Sequence, residues 1–471
     1  MEYLKGDAEC KRADEISQER FSIPSLSLME EAALLSFLKL KDMLKKDTSV
    51  LFLAGGGNNG ADALALARIC RINGYNNICI YTPDYSRRSR ENEIQLECCR
   101  ALSIPFADDI VPSDILIDGL LGVGIRGTLR EREAEIIDKV NGKDFYVVSV
   151  DLPSGLCDSC FNNAVIADET YTFGCRKRCM YALGNRKYCG KISVLNPSFP
   201  QEVLNEIPSR NISLHDASGY CRLTLESDDY KVTRGRVAVI GGSAEYVGAV
   251  RLSAKAALKA GSGMVTVFTD ASIISLVSLD CGASVMVRPF EDFFSMHDSF
   301  DAVLLGPGLG RGEMQRRLVE RIASLPLRTL VLDADAIRLL GGKCSAEQLI
   351  LTPHVGEFRS LSGKEGYHSP DEFYDTLIET GHRLDASIIL KADAVYLCEG
   401  ERIRIVDGQN PYLGTAGSGD VLSGITASIA ALGREDIINA VLLHQLSGSE
   451  AHEKLGCYTS DELIGIMGAI R

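Results

Sequence analysis

A chain of 471 residues is too long for one ordinary domain, and with 45% apolar residues it can build two or three real cores. A formal charge of −14, no tryptophan and 7% aromatic residues argue against a surface for phosphate backbones or stacked bases, so no nucleic-acid partner is expected. No apolar run is long enough to span a bilayer, and the start Met1-Glu2-Tyr3-Leu4-Lys5 lacks the apolar core of a signal peptide; the fifteen cysteines then read as reduced thiols of a cytoplasmic protein without a membrane partner.

In chain order, residues 7–22 are strongly charged, and Glu30 to Leu44 carry apolar positions at helical spacing. The run Ser49-Val50-Leu51-Phe52-Leu53-Ala54 reads as a strand, Gly55 to Asp62 as a glycine loop, and Ala63 to Ile72 as a helix. That is the first unit of a doubly wound sheet. Ile78-Cys79-Ile80-Tyr81, Ile115-Leu116-Ile117-Asp118 and Tyr146-Val147-Val148-Ser149-Val150-Asp151 read as further strands. The last two end in an acid and run into the loops Gly119 to Gly124 and Leu152-Pro153-Ser154-Gly155. Ligands of open α/β sheets bind at the carboxyl ends of strands, so these loops are expected to converge on one site. The Pro-, Ser- and Asn-rich tract from Asn196 to Leu223, with Pro197, Pro200 and Pro208, holds the expected domain boundary, giving domains 1–210 and 211–471.

A second βα series follows. Arg236 to Ile240 leads to Gly241-Gly242-Ser243, a small-residue helix is expected from Val250 to Ala260, and Met264 to Phe268 is the next strand. Strands at Ala302–Leu305, Leu330–Leu332, Leu349–Thr352 and Ser387–Leu390 end at Gly306 to Gly310, at Asp333-Ala334-Asp335, at Pro353-His354 and at Lys391. The fold class expected is therefore α/β, with two doubly wound domains.

The densest motif comes late, in Leu413-Gly414-Thr415-Ala416-Gly417-Ser418-Gly419-Asp420-Val421-Leu422. Glycines let a ligand approach the backbone, and free N–H groups at a helix start attract an anion, usually phosphate. A carboxylate at such a place repels phosphate. Asp420 therefore reads either as a helix cap or as the base that takes a proton from a hydroxyl being phosphorylated.

These segments together carry a resemblance. Gly241 to Ala249, Gly306–Gly310, Leu332–Asp335, Leu351 to Phe358 and Asn410 to Asp420 resemble the ADP/ATP-dependent NAD(P)H-hydrate dehydratases, which have a ribokinase-like fold. Pro24 to Glu30, Gly57–Asp62, Asp118 to Gly127 and Val150 to Gly155 resemble the NAD(P)H-hydrate epimerases, which have a Rossmann-like fold. Both sets in this order resemble the fused repair enzymes. The resemblance implies that R and S hydrates of NADH and NADPH are interconverted by the first domain. The second then dehydrates the S form with ADP, giving AMP and phosphate, or with ATP as eukaryotic relatives do. It also implies a homo-oligomer.

The resemblance further implies site residues. In the first domain, Asn58, Asn59, Gly60, Ala61, Asp62 and Asp151, with Gly122, Val123, Gly124, Ile125, Arg126, Gly127 and Thr128, would bind the hydrate. Asn59, Asp118 and Ser154 would bind K⁺, and Asp151 would act as acid and base. The bland alternative for Asp118 and Asp151 is strand-end capping. In the second domain, Asp420 would be the catalytic base, and Ala249, Gly310, His354 and Asp420 would contact the hydrate. Lys391, Ala392, Asp393, Ala394, Val395 and Gly419 would line the nucleotide site. Glu357 would hold Mg²⁺ through water, its alternative being a solvated helix-start acid, and His354 has the alternative of a satisfied turn histidine.

Two features stand outside the resemblance. Cys157-Asp158-Ser159-Cys160, followed by Cys175, Cys179 and Cys189, has spacing that can bind zinc, but scattered thiols are the expectation. The cluster Arg176-Lys177-Arg178 is expected in a solvated loop. Two other functions fit parts of the chain: a ribokinase-type small-molecule kinase with a regulatory first domain, and a first domain that serves only as a binding module. The second is disfavoured by Asp62, Asp118 and Asp151 all being present.

Overall fold

The short apolar runs that read as strands are strands, because a sheet covered by helices on both faces needs side chains that are apolar in both directions. The computed structural model describes residues 2–207, 209–224, 227–408, 410–433 and 436–470; Met1 and the linker residue Pro208 lie outside them. The chain divides into two units. One comprises Tyr3–Ile212 with Tyr367–Tyr374, and the other Ser213–Gly366 and Asp375–Arg471 together with Glu2.

Eighteen strands form among the described residues. They are β1 (Glu2–Tyr3), β2 (Val50–Ala54), β3 (Ile78–Tyr81), β4 (Phe106–Ala107), β5 (Ile115–Gly119), β6 (Tyr146–Val150), β7 (Glu169–Phe173), β8 (Lys191–Leu195), β9 (Ile212–His215), β10 (Arg236–Ile240), β11 (Met264–Thr269), β12 (Val285–Pro289), β13 (Ala302–Leu305), β14 (Thr329–Leu332), β15 (Gln348–Leu351), β16 (Ser387–Lys391), β17 (Val395–Glu399) and β18 (Arg402–Val406).

The first unit holds a parallel sheet in the order β4-β3-β2-β5-β6-β7-β8. Its helices include α1 (Asp7–Phe21), α2 (Ser25–Leu40) and α3 (Asn58–Ile72). The helix expected from Ala63 thus begins five residues earlier, at Asn58. Gly57 is its extended N-cap, and the residues read as the end of a glycine loop form the first turn. Packing overrides local propensity here: Ala61, Ala63, Leu64, Ala65, Leu66 and Ala67 are fully buried in one core with Phe52 and Ile117 of the sheet.

The second sheet runs β1-β9-β18-β17-β16-β15-β14-β13-β10-β11-β12. It is parallel from β16 to β12, and β16, β17 and β18 form an antiparallel meander. The small-residue helix expected there spans Val247–Lys259, and the glycine-rich motif opens the helix Ser418–Leu432. The two pack in one core through Val250, Ala254, Ala257, Val421, Leu422 and Ile425, and Ser253 Oγ donates to the Asp420 carbonyl at 2.9 Å.

Strand order places the sites. In the first sheet the chain leaves β2 for β3 on one side and returns to β5 on the other. The loops after β2 and β5 therefore flank a topological switch point, where a crevice opens. The second sheet repeats the arrangement at β10 and β13, with Gly241-Gly242 after one and Gly306–Gly310 after the other.

Candidate functional sites

A cavity of about 720 Å³ opens at the switch point of the first unit. Of the expected residues, Asn58, Asn59, Asp62, Gly122, Val123, Gly124, Ile125, Arg126, Thr128 and Asp151 line it. Gly60 and Ala61 are buried in α3, and Gly127 donates its N–H to Ser159 Oγ at 3.0 Å. These three, with Asp118 and Ser154, are not among the lining residues.

Lys177 is the residue that the sequence misplaced. Arg176-Lys177-Arg178 was expected in a solvated loop, yet Lys177 is 2% exposed and Arg178 4%. The Lys177 ammonium donates to Asp151 Oδ1, to Thr172 Oγ1 at 2.8 Å and to the Phe173 carbonyl at 3.1 Å. Asp151 itself sits at φ 64, and its Oδ1 also accepts the Phe173 N–H at 3.0 Å. Burial, the largest single effect, lowers the Lys177 pKa, but the charges of Asp151, Cys10 and Cys175, with the hydrogen bond to Asp151, together hold the amine above its ordinary value. Asp14 and Asp62 share the cavity. Burial first, and the Asp151 charge second, push Asp14 up to about 6 and Asp62 well above the usual carboxylate range. One carboxylate paired with an ammonium thus shares the cavity with two carboxyls whose hold on a proton is raised, a combination able to give and take a proton in one cavity.

Asp118, Ser154 and Asn59 converge close to this cavity. Asp118 is fully buried and accepts from Ser154 Oγ at 2.5 Å, Ser154 N at 2.9 Å, Ser149 Oγ at 2.8 Å and Leu120 N at 3.2 Å. Burial raises its pKa against the pull of those donors. Asn59 Nδ2 donates to the Leu121 carbonyl at 2.8 Å, and Ser154 Oγ lies 3.2 Å from the same oxygen. Asn59 Oδ1 is buried with no partner among the described residues. An orphaned amide oxygen, a carbonyl, a hydroxyl and an uncompensated buried carboxylate fit a large monovalent cation, which takes oxygen ligands of this kind.

In the second unit the parallel register aligns Ile240 with Leu305, Leu305 with Leu332, Leu332 with Leu351 and Leu351 with Ile388. The loops that follow those strands therefore share one edge. Lys391 Nζ donates to Asp333 Oδ1 at 2.9 Å, and Thr352 Oγ1 donates to the same oxygen at 2.8 Å. A side chain added at Gly419 would come within 3.4 Å of the Lys391 amine, so the ammonium stands over the first turn of the helix Ser418–Leu432. That helix starts from Gly417 at φ 88, with no side chain capping its N–H groups. Burial, then the Asp333 charge, push Asp420 up to about 7, and Lys391 pulls the other way. Near pH 7 such a carboxyl can accept a proton, and it lies beside a cation at a helix start that no side chain caps, a place suited to phosphate.

The remaining expected residues lie around this edge. A Cβ at Gly308 would sit 3.2 Å from Ala249 Cβ, which puts Ala249 beside the Gly306–Gly310 loop. Gly310 donates its N–H to Asp335 Oδ2 at 2.9 Å. Ala392, Asp393 and Ala394 form the turn between the paired residues Lys391 and Val395. His354 bridges to Lys391 and caps the helix Val355–Ser362: its Nδ1 accepts from Gly356 N at 2.9 Å and Glu357 N at 3.2 Å. Glu357 completes the capping box by accepting the His354 N–H at 3.0 Å, and at 4% exposed it is not the solvated acid of the bland reading.

Residues 237–468 match the family model described as NAD(P)H-hydrate dehydratase, and residues 25–179 match that of the YjeF-related protein N-terminus. The bifunctional NAD(P)H-hydrate repair enzyme of Dictyoglomus turgidum is 29% identical over 462 residues, covering 90% of this chain and 88% of its own. That of Pyrobaculum aerophilum is 29% identical over 480 residues, covering 95% and 94%. A ribokinase-like superfamily protein from Enterococcus faecalis V583 is similar in structure, with TM-score 0.49, 24% identity and coverage of 56% of this chain and 96% of its own. No helix among the described residues is long and apolar enough to cross a membrane. With both models matched in this order along one chain, and relatives of one name aligned over nine-tenths of it or more, the chain belongs to the family of bifunctional NAD(P)H-hydrate repair enzymes.

Proposed function

We propose that the chain repairs hydrated nicotinamide cofactors in two steps, with epimerisation of R and S hydrates in residues 1–210 and dehydration of the S form in residues 211–471. The observation that carries the second step is Asp420, a carboxyl tuned to about 7 at an uncapped helix start beside Lys391. The carboxylate takes the hydroxyl proton as the hydrate oxygen attacks the terminal phosphorus of the nucleotide. The N–H of Gly419 and the Lys391 ammonium hold the charge that develops. The carbon–oxygen bond of the phosphate ester then breaks, inorganic phosphate leaves, and the neighbouring ring carbon gives up a proton to solvent as the ring double bond re-forms. The donor is taken as ADP, with AMP departing, following the resemblance to bacterial and archaeal relatives. Mg²⁺, when bound, neutralises diphosphate charge; Glu357 would hold it through water, because its oxygens are already engaged by His354 and near Arg338.

In the first step Asp151 handles the proton at the epimerised carbon, Lys177 holds that carboxylate in place, and Asp62 or Asp14 supplies the protonated partner. K⁺ would be held by Asn59, Ser154 and the carbonyl between them, with Asp118 supplying negative charge beneath. The reading includes a cytoplasmic location, in keeping with fifteen cysteines, and a homo-oligomer. The test is to incubate the protein with a mixture of R and S hydrated NADH, Mg²⁺, K⁺ and either ADP or ATP. The expected result is full recovery of reduced-nicotinamide absorbance with one inorganic phosphate per NADH. Accumulation of a phosphorylated product instead would identify a kinase, and untouched hydrate with both nucleotides would end the proposal.

A further inference from the structure

Asp7, Asp158 and Cys179 meet away from the cavity of the first unit, with one ligand atom from each lying within 4.8 Å of the others. Asp7 is the first residue of α1, Asp158 follows β6 in the loop that contains Cys157 and Cys160, and Cys179 lies on the short 3₁₀ turn Arg178–Tyr181. The two aspartates hold each other's backbones: Asp7 N donates to Asp158 Oδ2 at 2.8 Å, and Asp158 N to Asp7 Oδ2 at 3.2 Å. That arrangement leaves Oδ1 of each acid inaccessible to solvent and without a partner among the described residues. Asp158 is 6% exposed and Cys179 fully buried.

The cationic charge at this place falls short. Arg178 is shared among Asp158 at 3.0 Å, Asp371 at 2.9 Å and Glu9 at 3.5 Å, and Asp371 is shared in turn with Arg210 at 3.2 Å. Orphaned carboxylate oxygens in a dry setting call for a cation with a fixed position. The third donor decides its kind: a thiolate selects zinc over magnesium or calcium. The Cys157-x-x-Cys160 pair takes no part, because Cys157 Sγ donates to the Cys160 carbonyl at 3.4 Å and Cys160 Sγ to the Phe161 carbonyl at 3.7 Å.

We propose that Asp7, Asp158 and Cys179 form a zinc site, with both carboxylates and the thiolate as ligands and water as the fourth. Tetrahedral zinc, with bonds of about 2.0–2.3 Å to oxygen and sulfur, sets its donors about 3.3–3.5 Å apart, so the three atoms, which lie within 4.8 Å of one another, close in on the metal as it binds. Binding forms the Zn–S bond and releases the Cys179 thiol proton to solvent. The site ties the start of α1 to the loop after β6 and to the Arg178–Tyr181 turn; α1 in turn carries Cys10 and Asp14 to the cavity wall, so the metal is a brace.

The experiment uses the full chain, dialysed against chelator, titrated with zinc and desalted, and in parallel loaded with cobalt(II). Wild type is expected to retain one zinc per chain and, with cobalt, to show thiolate charge-transfer absorption. Cys179→Ser is expected to lose that absorption, and both it and Asp158→Asn to bind zinc at least 100-fold more weakly. Cys157→Ser is expected to retain both signals. Should Cys179→Ser fail to fold, Asp158→Asn, which keeps the side-chain volume, is read in its place. The proposal is overturned if wild type retains no zinc, if Cys179→Ser or Asp158→Asn retains as much as wild type, or if Cys157→Ser abolishes binding. Absence of zinc together with a more stable Asp7→Asn variant would assign the pair to a shared proton instead.

Discussion

At Asp420 the same burial that tunes a base also costs stability. A base with a pKa of about 7 must be ionised to act, so kcat/KM for dehydration is expected to rise about tenfold per pH unit below 7 and to level off above it. The stability sign runs the other way. The folded carboxyl keeps its proton to about 7, while the unfolded one loses it near 4, so the native state is penalised increasingly between those values and by a constant amount above 7. Asp420→Asn is therefore expected to abolish dehydration, leave epimerisation intact, and raise stability by ~1–3 kcal/mol at pH 8 but not at pH 4. Parallel assays and melts at both pH values check this. Lys177 makes the opposite case. Lys177→Met leaves Asp151 without its buried partner, and a loss on the order of 3–5 kcal/mol is expected together with loss of epimerase activity. Adding Asp151→Asn is expected to recover most of the stability and none of the activity. The pairing of Lys177 with Asp151 was not legible locally: Asp151 read as an acid and base at a strand end, and Lys177 as a surface charge. They meet because β6 and β7 are neighbours in the sheet and the chain then folds back over their ends.

Among the elements, the helix Ser418–Leu432 and α3 share a design and differ in how readily they could be read. Each follows a glycine and starts at a strand-end crevice. Gly417, at φ 88, turns the chain into its helix, and a Cβ there would lie 2.4 Å from Leu252 Cδ1. Gly417→Ala is expected to cost ~1–2 kcal/mol and to lower dehydration more than tenfold, without changing epimerisation. Denaturant melts and the coupled absorbance assay measure both. The motif was legible because glycine at this place is a backbone requirement that few other residues meet. The start of α3 was not, since Asn58-Asn59-Gly60 has poor helical propensity and only packing of Ala61 and Leu64 into the core carries the helix back to it. His354 was similarly opaque: its ring accepts two N–H groups of its own helix, while its half-exposed edge remains open to solvent.

For the whole molecule, each sheet carries its own switch point and its own set of ionisable groups. Two consequences are expected. Replacing K⁺ with a bulky organic cation should halt epimerisation and leave the rate of dehydration of pure S hydrate unchanged, as followed by separating the R and S forms. Mixing Asp151→Asn with Asp420→Asn protein should restore repair of R hydrate, since the S form released by one chain can diffuse to another; failure of the mixture would mean that the intermediate is not released.

The sequence by itself determined ten of the eighteen strands, the glycine turns and most of the residues at the strand ends. Those features are local: a sheet covered on both sides requires apolar runs, and a backbone close to a ligand requires small residues. Tertiary structure alone decided which charges are buried and against what, as with Lys177 on Asp151, Lys391 on Asp333, and Asp7 beside Asp158 and Cys179. The physical reason is that the desolvation of a charge depends on everything packed over it, and its partners come from elements far away along the chain.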